Sequence, residues 1–254
     1  MPVQDRFQSY VEDQREFFDA LISEDWESYR SDDWDTTRRY EIAALFQRVQ
    51  PKTILDIGCG CGFHDREMAE YPFVREVLGI DYSAKSIEAA ETHYPHPKVR
   101  RKVADLRDLA GETFDMVVSW QVFEHLADPK AYFAAALKVL RPGGRLVIFT
   151  PNRLRLSNRI RRLKGLEPQL CDPQHFHEYV PGEVEAIGRA FHLSRADGFG
   201  YGLSGVGILN RIGVRNRLRW GTVLASAADA FCVIFSATPP DRQFPKNPQP
   251  LAQG

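Results

Sequence analysis

An α/β fold, with helices wound on both sides of a mostly parallel sheet, is what the sequence predicts, on three observations. Short apolar runs ending in or near an acid alternate with helix-patterned stretches. The first run, Thr53 to Ile57, leads at once into the glycine cluster Gly58-Cys59-Gly60-Cys61-Gly62. A helix breaker, Arg141-Pro142-Gly143-Gly144, stands immediately before another apolar run.

The elements follow in order. The first fifty residues read as helical: Val3, Phe7, Tyr10, Val11, Phe17, Phe18 and Leu21 recur at helical spacing, as do Ile42, Leu45, Phe46 and Val49 before Pro51. Between them lies an aromatic and acidic connection, Trp26 to Trp34. It could be a lid over a ligand or a cover for one sheet edge. Thr53 to Ile57 has the composition of a buried parallel strand, and glycines after it let bare backbone N–H groups approach a ligand at a helix N-terminus. The dinucleotide fingerprint Gly-x-Gly-x-x-Gly does not fit, because its third glycine falls on Phe63 and Gly62 comes one place early. Asp56 lies outside that fingerprint as well. An acid there can accept a bond from a cationic amino group, which a pyrophosphate lacks.

Val77 to Asp81 reads as a second strand, its terminal acid about 20 residues beyond the glycine turn, where a carboxylate reaches ribose hydroxyls. Tyr82 beside it could stack on adenine. Lys98 to Val103, followed by Ala104-Asp105-Leu106, is the third strand, and Phe114 to Trp120 is the fourth. Asp128-Pro129 supplies an N-cap and a first-turn proline for a helix through Leu140. Arg145 to Thr150 is the fifth strand. Further on come a helix near Glu183 to Ala190, a strand from Phe191 to about Gly198, and a final strand around Phe231 to Ala237.

The apolar run, Asp56-x-Gly58-x-Gly60-x-Gly62, the acids at 81 and 105 and the Leu-Arg-Pro-Gly-Gly turn together resemble the class I S-adenosylmethionine (SAM)-dependent methyltransferases. Within them, the likeness is to the ubiquinone-biosynthesis and small-molecule O-methyltransferases. It implies a Rossmann-like, seven-stranded sheet with an antiparallel final strand and N-terminal lid helices. It also implies SAM as cofactor, bound by Asp56, Gly58, Cys59, Gly60 and Gly62, by Asp81 at the ribose, and by Tyr82, Asp105 and Leu106 around adenine, with Trp120 and Gln121 completing the wall. For Asp81 the plainer alternative is a helix cap ahead of Ser83.

Gln121-Val122-Phe123-Glu124-His125 is similar to the Glu-x-x-Glu-His segment of O-methyltransferases, with Gln121 replacing the first acid. His125 is the candidate general base, since an imidazole titrates near neutrality and Glu124 could orient it. A helix cap is the alternative use of this Glu-His pair. His175 opens a His-x-x-Glu-aromatic segment that resembles one folding back over the active site, and it is the second catalytic candidate. Small-RNA 2′-O-methyltransferases bearing Glu-x-x-Glu-His hold a divalent ion with a further histidine. A neutral amide at 121 is a poorer ligand for a hard cation, so no metal is expected.

Composition sets limits. The 254 residues suffice for one α/β domain with additions, and a net charge of −1 argues against a dedicated nucleic-acid binder. Residues 1–50 are read as a helical lid and 51–150 as the cofactor core. Residues 151–238 form a substrate-side insertion with the last two strands, and the proline-rich 239–254 a disordered tail. No signal segment and no apolar run of about 18 residues is visible, so a cytoplasmic location is expected. Cysteines 59, 61, 171 and 232 make no disulfide framework, and Cys59 and Cys61 read as packing.

The stretch Arg153 to Lys164 sets Leu156, Ile160 and Leu163 beside Arg155, Arg159 and Arg162. It suits an anionic or lipid-linked acceptor, or peripheral contact with anionic lipid, and Arg211, Arg215, Arg217 and Arg219 with Trp220 could join it. A merely solvated cationic face is the alternative. The expected activity is methyl transfer to a small-molecule hydroxyl. The alternatives are metal-assisted RNA ribose methylation and a non-catalytic SAM-binding interaction module.

Overall fold

The computed structural model describes residues 14–20, 22, 32–109, 111–202 and 228–237. The patch at Arg211 to Trp220, the segment 1–13 and the proline-rich tail lie outside the described residues. A helix through residues 14–20 (α1) and Asp32–Phe46 (α2) precede the first strand. The expected second helix therefore begins ten residues earlier than its apolar spacing indicated, and takes in the end of the aromatic and acidic connection.

The sheet strands are β1 Thr53–Ile57, β2 Glu76–Asp81, β3 Val99–Val103, β4 Phe114–Trp120, β5 Leu140–Pro151, β6 Leu193–Tyr201 and β7 Ala230–Ala237. Their order is β3-β2-β1-β4-β5-β7-β6, with β7 antiparallel to both neighbours and strands β1 to β5 parallel. The expected architecture is thus found, antiparallel last strand included. Helices α3 (Phe63–Ala69), α4 (Ala84–His93), α5 (Pro129–Val139), α6 (Leu156–Leu163) and α7 (Pro181–Ala190), with 3-10 turns at Leu106–Asp108 and Phe123–His125, complete the described elements.

Strand alternation explains why the sheet is apolar on both faces. Ile54, Met116, Val118, Val147 and Phe149 pack with Leu45, Phe46 and Met68 from α2 and α3. Leu55, Ile57, Val117 and Ile148 face the other way, onto Phe133, Ala136 and Val184 of α5 and α7. The helix starts obey local chemistry. Asp128 Oδ1 accepts from the N–H groups of Lys130 and Ala131 (both 3.0 Å), with Pro129 opening α5, and Ser83 Oγ accepts from Ser86 N (3.0 Å) to cap α4.

The α5–β5 boundary and the start of β6 also differ from expectation. Helix α5 stops at Val139, because Leu140 already pairs with Phe114, and the Pro-Gly-Gly turn is a bulge inside β5 before pairing resumes at Arg145 opposite Met116. Strand β6 starts at Leu193 rather than Phe191, because Phe191 and His192 close the last turn of α7 through N–H bonds to Gly188 and Arg189.

The chain moves outward from β1 to β3, then returns to lay β4 on the other side of β1. That reversal leaves a crevice at the C-terminal ends of β1 and β4. The glycine cluster follows β1 and the Gln121 to His125 segment follows β4, so topology alone brings them together.

Candidate functional site

The glycine loop is fastened from below. Gly58 N and Cys59 N donate to Ile80 O (2.8 and 3.0 Å), and Gly60 N donates to Asp81 Oδ2 (3.0 Å). Gly60 has φ +51, and a Cβ built there meets nothing within 4 Å, so the loop has an open side. Asp81 Oδ1 accepts from Ser83 N (2.8 Å). Burial pushes the Asp81 carboxyl upward, while the Ser83 and Gly60 N–H groups hold it back. It is Ser83, not Asp81, that caps α4. With the Ser83, Gly60 and Tyr82 N–H groups on it, the Asp81 carboxylate still has acceptor capacity for a ligand hydroxyl.

Two cavities flank this loop and share Gly58, Asp81, Tyr82, Val122 and His125. The first, of ≈ 180 Å³, is bordered by Gly58 to Cys61, Arg38, His64, Trp120 and Gln121. The second, of ≈ 200 Å³, is bordered by Asp105, Leu106, Arg107 and Tyr132. Trp120 borders the first cavity, and its Nε1–H is buried and unpartnered among the described residues. Gln121, at φ +56, donates through Nε2 to Tyr201 Oη (2.8 Å). Asp105 lines the second cavity while paired with Arg107 (2.7 Å), whose hydrogen bonds hold the Asp105 carboxyl low.

Two expected cofactor contacts are not met as foreseen. Gly62 borders neither cavity, and a Cβ built there would meet Ala90 at 2.7 Å and the Arg101 guanidinium at 2.9 Å. Asp56 is fully buried, borders neither cavity, and its two oxygens have no hydrogen-bond partner among the described residues. Its side chain leaves β1 toward the interior, and burial raises its carboxyl well above the usual range.

The two histidines do converge, with ring centroids 4.9 Å apart. Their partners differ from the expected ones. His125 Nδ1 lies 3.0 Å from Gln174 O. A carbonyl only accepts, so the proton sits on Nδ1 and Nε2 carries the lone pair. Gln174, not Glu124, therefore orients His125. Burial, with His175 nearby, brings the His125 imidazole down to about 4, which keeps it neutral near pH 7.

Glu124 is also fully buried. Its Oε2 accepts from Thr150 Oγ1 (3.0 Å), its Oε1 is unpartnered among the described residues and stands 3.9 Å from His175 Nε2, and burial pushes the carboxyl up to about 7. His175 Nδ1 donates to Glu178 Oε1 (3.1 Å) and borders neither cavity. Glu178 is buried too, yet His175, the Cys171 N–H and Arg155 hold it down to about 2. Donor atoms of Glu124, His125 and His175 lie within 4.8 Å of one another and could hold a cation, as could those of Cys171, His175 and Glu178. Cys59 and Cys61 belong to neither group, and burial raises both thiols.

The basic helix is also altered. Arg155 is not on an outer row but buried against Glu178 and Gln169 O, and Arg153 bonds His177 and Glu183. Sequence reasoning missed several wall residues. Gln14, Phe18 and Ile22 from the N-terminal segment and Arg38 from α2 border the cavities. Arg38 Nη1 donates to both oxygens of buried Glu41 (3.0 and 3.1 Å), an i, i+3 pair that was readable as such. His64 stacks on Trp120 (4.4 Å), and burial lowers it to about 4. Its signal was a histidine in the first turn after the glycine loop.

The chain is similar to known proteins in sequence and in fold. A family model described as a methyltransferase domain matches residues 55–148. The chain is 34% identical over 190 residues to a ubiquinone biosynthesis O-methyltransferase of Mesorhizobium japonicum, covering 69% of this chain and 71% of that one. It is 38% identical over 124 residues to its namesake in Cereibacter sphaeroides, covering 44% of this chain and 49% of that one, so it spans about half the length of such curated relatives. Its fold is similar to that of the N-methyltransferase NodS of Bradyrhizobium japonicum WM9 in complex with S-adenosyl-L-homocysteine (SAH), with a TM-score of 0.55, 18% identity and coverage of 92% and 98%. The complex between the Haloferax volcanii Trm112 methyltransferase activator and a methyltransferase gives a TM-score of 0.65 at 17% identity, covering 87% of this chain and 97% of that one. With a glycine loop open toward a cavity, an acid holding that loop and a matched relative over more than two thirds of its length, the chain belongs to the class I S-adenosylmethionine-dependent methyltransferases.

Proposed function

We propose that the protein transfers a methyl group from SAM to a hydroxyl of a small molecule: a quinone precursor, a sugar or a natural-product intermediate. The observation that carries this reading is the commitment of His125 Nδ1 to Gln174 O, which leaves Nε2 as an acceptor on a residue bordering both cavities. O-methylation asks for alignment, exclusion of water and a destination for the hydroxyl proton. SAM, when bound, supplies a methyl group on a cationic sulfur. Gly58, Cys59, Gly60, Trp120 and Gln121 hold its methionine end, Asp81 its ribose, and Tyr82, Asp105 and Leu106 its adenine. His125 receives the acceptor's proton at Nε2, and His175 steadies the ring edge-on. The N-terminal helices act as the lid, since Gln14, Phe18 and Arg38 border the cavities.

A panel of dihydroxyphenols, sugars and short RNAs, scored by SAH release, tests the acceptor class. Release with a phenol or a sugar supports the reading, and release with RNA alone overturns it. Asp81→Ala should weaken SAM binding by about 1.5 to 3 kcal/mol, through loss of a charge-assisted bond. Asp81→Asn, which keeps one acceptor oxygen, should lose less. Equal dissociation constants for wild type and Asp81→Ala would reduce Asp81 to a brace for Gly60.

A second reading is favoured by the convergence of Glu124, His125 and His175, which could hold a divalent cation beside the acceptor oxygen. Peripheral membrane contact is also proposed for α6 and the segment after it. Leu163 is 88% exposed between exposed Arg162 and Lys164, and Phe176 is 56% exposed, while no helix among the described residues is long and apolar enough to cross a membrane. Anionic phospholipid vesicles should sediment the protein and fail to sediment Leu163→Glu. Absence of binding at low salt would remove this proposal.

A further inference from the structure

Between α6 and α7 the chain carries Cys171-x-x-x-His175-x-x-Glu178, and neither Cys171 nor Glu178 has a part in methyl transfer. A tight turn closes this spacing. His175 N donates to Asp172 O (3.2 Å) and Gln174 N to Asp172 Oδ1 (2.8 Å), which brings the thiol and the imidazole together. Cys171 Sγ stands 3.6 Å from His175 Nδ1, and that nitrogen stands 3.1 Å from Glu178 Oε1. The donor atoms of all three residues lie within 4.8 Å of one another. A tetrahedral zinc ion, with Zn–S of about 2.3 Å and Zn–N and Zn–O of about 2.0 to 2.1 Å, sets sulfur and nitrogen about 3.6 Å apart and nitrogen and oxygen about 3.3 Å apart. The two measured edges match that tetrahedron to within about 0.2 Å.

The surroundings supply what such a set of ligands needs. Glu178 is buried and oriented from behind, since Arg155 takes its Oε2 while Cys171 N donates to Oε1 (2.6 Å). The imidazole has a carboxylate at its back. Glu124 is fully buried, and its Oε1, unpartnered among the described residues, stands 3.9 Å from His175 Nε2. A histidine bound to zinc through one ring nitrogen characteristically donates the N–H of the other to such a group. With an ion on Nδ1, the His175 proton sits on Nε2 and offers Glu124 Oε1 the donor it lacks. Cys171 is exposed, which leaves a path for entry and a fourth position for water. Burial and the Glu178 carboxylate push its thiol up to about 12, so without an ion it stays protonated and is a poor nucleophile. A bound ion sends that proton to solvent.

We propose that Cys171 Sγ, His175 Nδ1 and Glu178 Oε1 bind a zinc-class divalent cation, with Glu124 as the carboxylate behind the imidazole. Thiolate sulfur selects zinc over the hard ions magnesium and calcium. This site differs from the Glu124, His125 and His175 set, which contains no sulfur. None of Cys171, His175 and Glu178 borders either cavity, so the ion fastens the 171–178 segment and takes no part in methyl transfer. The proposal is therefore independent of the reading of His125 as the base.

The test uses the full chain, reduced, freed of metal with a chelator and titrated with cobalt(II), whose thiolate complexes absorb in the near ultraviolet by sulfur-to-metal charge transfer. Wild type should develop this band together with the visible bands of a tetrahedral ion, and added zinc should abolish both. Cys171→Ser should lose the charge-transfer band while still binding SAH, although Cys59, Cys61 and Cys232 remain. His175→Gln, which keeps the thiol, should weaken cobalt binding by at least about tenfold. Absence of the band in wild type, or a band that survives in Cys171→Ser, would overturn the proposal. Cobalt bound by wild type without the band would overturn it as well, and would favour Glu124, His125 and His175 as the ligands.

Discussion

Gly60→Val is expected to abolish SAM binding, with affinity falling by more than about a hundredfold, because two effects act together at one residue. Gly60 sits at φ +51, a conformation that a β-branched residue adopts only with strain. Its Cβ direction is also empty within 4 Å, on a residue bordering the first cavity, so the isopropyl group would fill ligand space. The turn glycine Gly143, at φ +78 with nothing near its Cβ direction, separates the two effects. Gly143→Ala carries the backbone strain away from the cavities and should leave affinity unchanged. Calorimetry with SAH measures both variants. Equal affinity of wild type and Gly60→Val, or wild-type binding of NAD in place of SAH, would contradict the cofactor assignment.

The second large effect is expected at His125. His125→Ala should lower turnover by roughly a hundredfold or more while SAM affinity stays near wild type. His175→Ala should follow it through loss of the edge-on contact, since His175 borders neither cavity. The pH profile carries a sign. An imidazole brought down to about 4 is neutral, and so able to take a proton, throughout the range above that value. Activity should therefore persist below the ordinary imidazole range of about 6.5 and fall only as pH approaches 4. A chelator should not change the rate. Loss of activity on chelation, restored by magnesium or zinc, would make Glu124, His125 and His175 ligands instead of a base and its neighbours.

Much of this site could be read from residues whose signal is local. Strand β1 has the bounds its composition indicated, since an apolar run is enclosed by Lys52 and Gly58. Asp128-Pro129 fixed the start of α5 for the same kind of reason: an N-cap and a first-turn proline need no tertiary context. The features that escaped are those made by long-range contact. Nothing near Arg155 in sequence announces that Glu178 will draw it inside, so an apparent row of surface arginines lost a member. The partner of His125 is a main-chain carbonyl 49 residues away, and a carbonyl has no side-chain identity to read. Asp56 matched the motif by type and spacing, yet burial set it apart from the cavity wall. The α5–β5 boundary moved for a different reason, because sheet pairing at Leu140 overrode the turn chemistry of Pro142 and Gly143.

Methyl-tritiated SAM, incubated with the full chain and a small-molecule extract, offers the most direct measurement, with label counted separately in solvent-extractable compounds, RNA and protein. The predicted result is label in the extractable fraction with wild type, none with Gly60→Val, and about a hundredfold less with His125→Ala. Label confined to RNA, or undiminished transfer by both variants, would contradict a small-molecule methyltransferase working through this loop and this histidine.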